Sequence, residues 1–219
     1  MTTPKSAITP SLTAAALMAE ATARSGLDDF GADDFVEPLR RFTRACQDDA
    51  HVRADSAAAI AETLTGKLIS RLRFEDDLKR HPEILAEQIV SPLFLIGAGR
   101  VGSTKMHRLL ANAAGIQSLP FWQLRDPAPH PGGTGSGADP RQTACQRFCT
   151  QIETDMPNLF AAIEPVAAEP DEEVHLLDLT MRQFYFSALA YTPTYFDWIH
   201  TQGWHAPYEY LKKLLQYLQ

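Results

Sequence analysis

Within nine residues, Gly97 to Lys105, the chain reads Gly-Ala-Gly-Arg-Val-Gly-Ser-Thr-Lys. Three glycines, two hydroxyls and two cations in so short a span are the residue types that bind phosphate or sulfate. Gly97, Gly99 and Gly102 let backbone amides approach a ligand with no Cβ in the way. A helix that opens near Ser103 adds free N–H groups and the positive end of its dipole. Arg100, Ser103, Thr104 and Lys105 supply side-chain donors at the same spot. The plain alternative is a structural glycine turn carrying an exposed arginine, but a turn alone does not need so many polar residues at one junction.

Two familiar motifs fit this loop only in part. Gly97, Gly99 and Gly102 satisfy G-x-G-x-x-G, the fingerprint of a Rossmann-type dinucleotide-binding oxidoreductase. That fingerprint wants an acidic residue roughly 20 positions on, where this chain has Gln123 within Pro-Phe-Trp-Gln. A nucleoside triphosphate loop needs Lys directly after its last glycine; Ser103 stands there and Lys105 comes two places late.

A third reading takes Arg100-Val-Gly-Ser-Thr104 followed by Met106-His-Arg-Leu-Leu110, which resembles the 5′-phosphosulfate loop of sulfotransferases. The resemblance to a bacterial branch of that family continues in order along the chain. It runs through Ser25-Gly-Leu-Asp-Asp-Phe-Gly-Ala-Asp-Asp-Phe35, Arg71-Leu-Arg-Phe-Glu-Asp76 and His81-Pro-Glu-Ile84, then Trp122, Asp126-Pro-Ala-Pro129, Glu169-Pro-Asp-Glu-Glu173, Tyr195-Phe-Asp-Trp198 and Tyr208-Glu-Tyr-Leu-Lys-Lys-Leu-Leu-Gln216. The resemblance implies that 3′-phosphoadenosine 5′-phosphosulfate is the co-substrate, held by Gly97, Gly99, Arg100, Gly102, Ser103, Thr104 and Lys105. It also implies transfer of the sulfuryl group to a hydroxyl of a small or lipid-like acceptor. The family branch usually has Trp-Glu, with Glu as base for the acceptor, where this chain has Trp122-Gln123. Gln cannot accept a proton near neutral pH. The base then comes from elsewhere, with Glu172 and His107 as candidates beside Glu173 and His175, or catalysis is lost. Each candidate has a plainer reading: His107 as a hydrogen-bonded structural histidine, Glu172 and Glu173 as acids in a helical first turn after Pro170. Phe121, Trp122, Tyr185 and Phe186 are candidates for an apolar acceptor pocket, although such aromatics are more often core.

The elements that position these residues follow from pattern. Leu12, Ala16, Leu17 and Ala21 recur at helical spacing, as do apolar residues over Ala57–Leu72, and a helix is expected to start at Asp33 or Asp34 as N-cap. Residues 1–91 are thus a helical N-terminal region and 92–219 a partial α/β domain. The fold class expected is α/β, a P-loop-like parallel sheet with a helical N-terminal region and a helical C-terminal segment. The apolar run Leu93–Ile96 suits a parallel strand covered on both faces, Ser103–Ala114 a helix, and Ile116–Trp122 a second strand. Residues 126–140, rich in proline and glycine, form a loop over the site.

The remaining properties exclude other classes. With 219 residues, 45% hydrophobic and 21% charged, the chain can bury one substantial core. A net charge of −7 argues against nucleic-acid binding, so the anion site must be local. Cys46, Cys145 and Cys149 lack a disulfide framework, which points to a reducing, cytoplasmic setting. Cys145-x-x-x-Cys149 has no partner pair at ligand spacing, so no metal is expected. There is no basic segment leading into an apolar stretch at the start, nor about 18 uninterrupted apolar residues anywhere.

Only two strands are legible, both before residue 125, so the sheet is expected to be incomplete. In the family further strands follow the final helix and carry the grip on the 3′-phosphate, so the resemblance implies the N-terminal portion of a sulfotransferase, truncated. Leu211, Leu214, Leu215 and Leu218 are then expected to be partly exposed and to drive self-association through the C-terminal helix. A non-catalytic degenerate relative or interaction module is the alternative.

Overall fold

Helix α1, Ala14–Ser25, is started by Thr13, whose hydroxyl accepts from the Ala16 N–H, and stopped by Gly26 in the left-handed region at φ 72°. These are the two ends a helix needs. The computed structural model describes residues 11–98, 101–132, 137 and 139–219. Their helices are α1, α2 (Val36–Asp48), α3 (Ala54–Arg80), α4 (Ser103–Ala111), α5 (Phe121–Arg125), α6 (Pro140–Asp155), α7 (Pro157–Ile163), α8 (Pro193–His200) and α9 (His205–Tyr217), with short 3-10 turns between some of them. The chain divides into two compact units: one joins residues up to Asp76 with Asp178–Tyr208, the other joins Asp77–Leu177 with Glu209–Gln219.

The first unit is helical throughout. The face Leu39, Phe42 and Cys46 of α2 is fully buried, while Arg40, Arg41 and Arg44 lie on its exposed side. In α3 the four-residue repeat Ile60, Leu64, Leu68, Leu72 joins the same core, which Met181, Phe186, Tyr195 and Ile199 complete. Helical spacing in the sequence therefore marks the buried faces. The start expected at Asp33 or Asp34 is a 3-10 turn, Asp33–Phe35, which leads into α2.

Arg71 is fully buried here. Its guanidinium donates to the carbonyls of Phe30 (2.7 Å), Leu179 (2.8 Å) and Ala32 (2.8 Å) and lies 4.3 Å from the Phe35 ring centre. Lys67 and Asp178 form a second buried pair at 2.7 Å, and Asp178 also accepts from Gln183.

In the second unit, Pro140 occupies the first turn of α6 and Asp139 caps it, accepting from the Arg141 N–H. Cys145 and Cys149 on α6 are buried with Phe121 and Ala167. The Arg141 side chain donates to Asp139 and to the Asp126 and Pro127 carbonyls, and lies 4.7 Å over Trp122. That arginine ties together the two ends of the proline- and glycine-rich loop.

The sheet read from the sequence is not found among the described residues. Among the described residues, 92–98 belong to no helix or strand, and Leu93, Phe94 and Ile96 are 64%, 72% and 96% exposed. An apolar strand of a parallel sheet is buried only when neighbours flank it on each side, and none of the described residues does so here. The strand expected over Ile116–Trp122 is corrected too: its end belongs to α5, and the bridge found there among the described residues is antiparallel, Pro120 with Pro170. Proline explains both facts. It cannot donate to a ladder, and at φ −70° Pro120 is set to lead into a helix. The apolar stripe of α9 departs from expectation in part: Leu211 and Leu214 are 5% and 0% exposed, while Leu215 and Leu218 are half-buried. The open apolar surface of this unit lies instead at 93–96 and on α4.

Candidate functional site

Gly102 adopts φ 88°, a conformation that favours glycine, and its carbonyl accepts from the Met106 N–H to begin α4. The helix expected near Ser103 therefore starts at Ser103, and its first-turn amides lack intrahelical partners. Ser103 and Thr104 are half-buried and Lys105 is exposed. Gly97 precedes them, with room behind it limited by Val101, whose Cγ2 would lie 3.2 Å from an added Cβ. Gly99 and Arg100 lie outside the described residues.

The end of α4 is fixed from a distance. Arg108 donates to the carbonyls of Pro170 (3.4 Å) and Glu164 (3.1 Å). The 167–171 segment is in turn joined to 119–122: Phe121 N–H donates to Glu169, Trp122 N–H to Ala167 and Asp171 N–H to Leu119. These bonds bring the 171–175 turn against the first turn of α4.

There the Thr104 hydroxyl donates to Glu172 Oε1 at 3.0 Å. A carboxylate thus sits at the N-terminal end of the helix, where the dipole favours an anion. Beside it, Asp171 Oδ1 and His175 Nε2 are 3.5 Å apart, and the His175 ring meets Phe121 edge-on at 4.9 Å. Asp171 is buried. Burial opposes its ionisation, but the bond from His175 and that from the Glu172 N–H hold its carboxyl below the usual carboxylate range.

Of the catalytic candidates in the sequence, Glu172 is brought to the loop and His175 lies beside it. Gln123 lies on α5 and His107 is half-buried on α4; among the described residues neither side chain makes a hydrogen bond or ion pair with the Thr104, Glu172 and His175 group. Phe121 and Phe186 are core residues, at 3% exposed each, in different units. Sequence reasoning missed Asp171 and Arg108. The four-residue spacing of Asp171 and His175 was a signal for the first; for the second there was none, because its partners are carbonyls some 60 residues away.

A model of the sulfotransferase family matches residues 92–219, the stretch that holds the α4-opening loop and the Glu172 carboxylate beside it. The chain belongs to the sulfotransferase family. Among solved structures it is similar to sulfotransferase STF1 from Mycobacterium tuberculosis H37Rv, with 29% identity and a TM-score of 0.72, over 95% of this chain and 57% of that one. It shares its fold with sulfotransferase STF9 from Mycobacterium avium, at 24% identity and a TM-score of 0.79, over 95% and 54% respectively. The chain therefore spans little more than half the length of these proteins. No curated protein matches it. Family membership sets aside the dinucleotide-binding reading of Gly97, Gly99 and Gly102. Among the described residues no helix is long and apolar enough to cross a membrane.

Proposed function

We propose that this chain provides the phosphosulfate-binding half of a sulfotransferase, with 3′-phosphoadenosine 5′-phosphosulfate as donor and a hydroxyl of a small or lipid-like molecule as acceptor. The observation that carries the reading is the Glu172 carboxylate held by Thr104 at the first turn of α4. A sulfonate or phosphate oxygen asks for the same hydroxyl and the same free amides. Donor binding displaces Glu172, and Arg100 and Lys105 add charge to the grip.

Sulfuryl transfer needs an in-line nucleophile, donors that absorb charge on the leaving oxygen, and a base for the acceptor proton. The loop serves the second need. For the third, the Asp171–His175 pair is better placed than Gln123. When Nε2–H faces Asp171, the neutral ring carries its lone pair on Nδ1, and the carboxylate steadies the imidazolium formed when that nitrogen takes the acceptor proton. In this reading Glu172 guards the anion site.

The test is binding of adenosine 3′,5′-bisphosphate, followed by calorimetry, with Arg100→Ala and Thr104→Ala together as the variant. Charge-assisted contacts contribute about 1.5–3 kcal/mol each, so the double change should abolish binding. Equal affinity in the double variant would overturn the assignment. If turnover is measurable, His175→Asn should lower kcat by roughly 10²-fold or more with little change in donor affinity, whereas His107→Asn should not.

A further inference from the structure

We infer that Asp171, Glu172 and His175 form a binding site for a first-row divalent cation of the zinc class, and that the bound ion takes the base away from the site described above while leaving the donor loop open. One donor atom from each residue lies within 4.8 Å of the other two. The Asp171 oxygen and His175 Nε2, at 3.5 Å, are already at the spacing of two ligands on one tetrahedral ion, about 3.4 Å for metal–ligand bonds near 2.1 Å. Two carboxylates and one imidazole form the mixed oxygen and nitrogen set that zinc, cobalt and manganese accept.

The donors are also oriented from outside, as metal ligands generally are. The Glu172 N–H holds Asp171 Oδ1 at 2.8 Å, and Phe121 packs on the His175 ring. Asp171 is buried at the base, while Glu172 and His175 are half-buried, so the ion would enter from their side. Three protein ligands leave one tetrahedral position for water.

The regulatory consequence rests on the function proposed above. To bind the ion through Nε2, His175 must carry its proton on Nδ1, so the lone pair that would receive the acceptor proton is gone. Metal occupancy and base catalysis are mutually exclusive in one ring. Drawing Glu172 onto the ion also frees the Thr104 hydroxyl, so the cation should block proton transfer without blocking the donor.

Titration of the 219-residue protein with cobalt(II) chloride, read by visible absorption, should show saturation at one equivalent with the intense bands of a four-coordinate site. Zinc chloride should then displace it. His175→Ala and, separately, Glu172→Gln should each weaken cobalt binding by roughly tenfold or more. Far-UV circular dichroism reports whether each is folded, and the half-buried Glu172 keeps the test decisive if His175→Ala unfolds. No saturable cobalt signal at millimolar metal, or equal affinity in folded variants, would overturn the site. Adenosine 3′,5′-bisphosphate binding, measured separately, distinguishes the two readings: cobalt without nucleotide binding leaves the metal site and removes the sulfotransferase role, and nucleotide without cobalt does the reverse.

Discussion

At the scale of single residues, the proposed function makes Glu172 a stand-in for the ligand. Its carboxylate occupies the α4 N-terminus through Thr104, so it competes with any other anion there. Glu172→Gln should tighten adenosine 3′,5′-bisphosphate binding, by about two- to fivefold given that a charge at a helix end is worth about 0.3–1 kcal/mol. Calorimetry would show it, and weaker binding would mean that Glu172 supports the nucleotide instead. Arg71 makes a different kind of claim. Its guanidinium serves three carbonyls, two of them in buried hydrogen bonds, and Arg71→Met would leave those two without a donor. A loss of about 3–5 kcal/mol is expected in urea unfolding; a change under about 1 kcal/mol would show that the pocket readily rearranges. Gly102 and Ser103 could be read from the sequence because a glycine before a polar helix start has one common use. The Asp171–His175 pair could be suspected only in part, since its placement depends on backbone bonds between 119–122 and 167–171 that no spacing announces.

At the scale of elements, helices were legible and the sheet was not. Leu17, Leu39, Leu64 and their neighbours recur at the helical period and are buried, so pattern and packing agree. Leu93–Ile96 is an apolar run too short for its period to decide anything, and what buries such a run is its neighbours. Phe121–Arg125 misled for a local reason: aromatic residues suggest strand, but Pro120 and the bond from Leu124 N–H to the Pro120 carbonyl make a helical turn. The start of α6 yields a prediction. Asp139 both caps the helix and pairs with the buried Arg141 at 2.7 Å. Asp139→Ala should cost at least about 1 kcal/mol, the usual worth of a cap. The hydrogen bond from the Arg141 side chain holds the Asp139 carboxyl below the usual aspartate range. Its contribution is therefore complete above the ordinary aspartate value near pH 4 and is lost as pH falls through the lowered one. Thermal melts of wild type and Asp139→Asn should differ at pH 6 and converge toward pH 2; a gap that widens in acid would contradict this.

At the scale of the whole molecule, the open apolar surface sets behaviour in solution. Leu93, Phe94, Ile96, Val101, Met106 and Leu109 are each at least half exposed, and among the described residues no strand pairs with 92–98. Large exposed apolar patches signal association. The 219-residue protein should therefore elute in light-scattering chromatography at a mass that grows with concentration, and Phe94→Ser with Ile96→Asp should shift it toward monomer. A monomer at every concentration tested would show that the patch is hidden in solution.

The first unit is built from two stretches of chain, and about 100 residues separate Asp76 from Asp178. On a ribosome adding about 5–20 residues per second, the early helices wait roughly 5–20 s for Met181, Phe186 and Tyr195 to arrive. Until then Leu64, Leu68 and Leu72 lack part of their cover, and Arg71 has no Leu179 carbonyl to bind. This segment should thus emerge as a client for holding chaperones, and nascent chains arrested before residue 178 clears the exit tunnel should be cut by protease within α3. Chains arrested after Tyr208 has cleared it should resist.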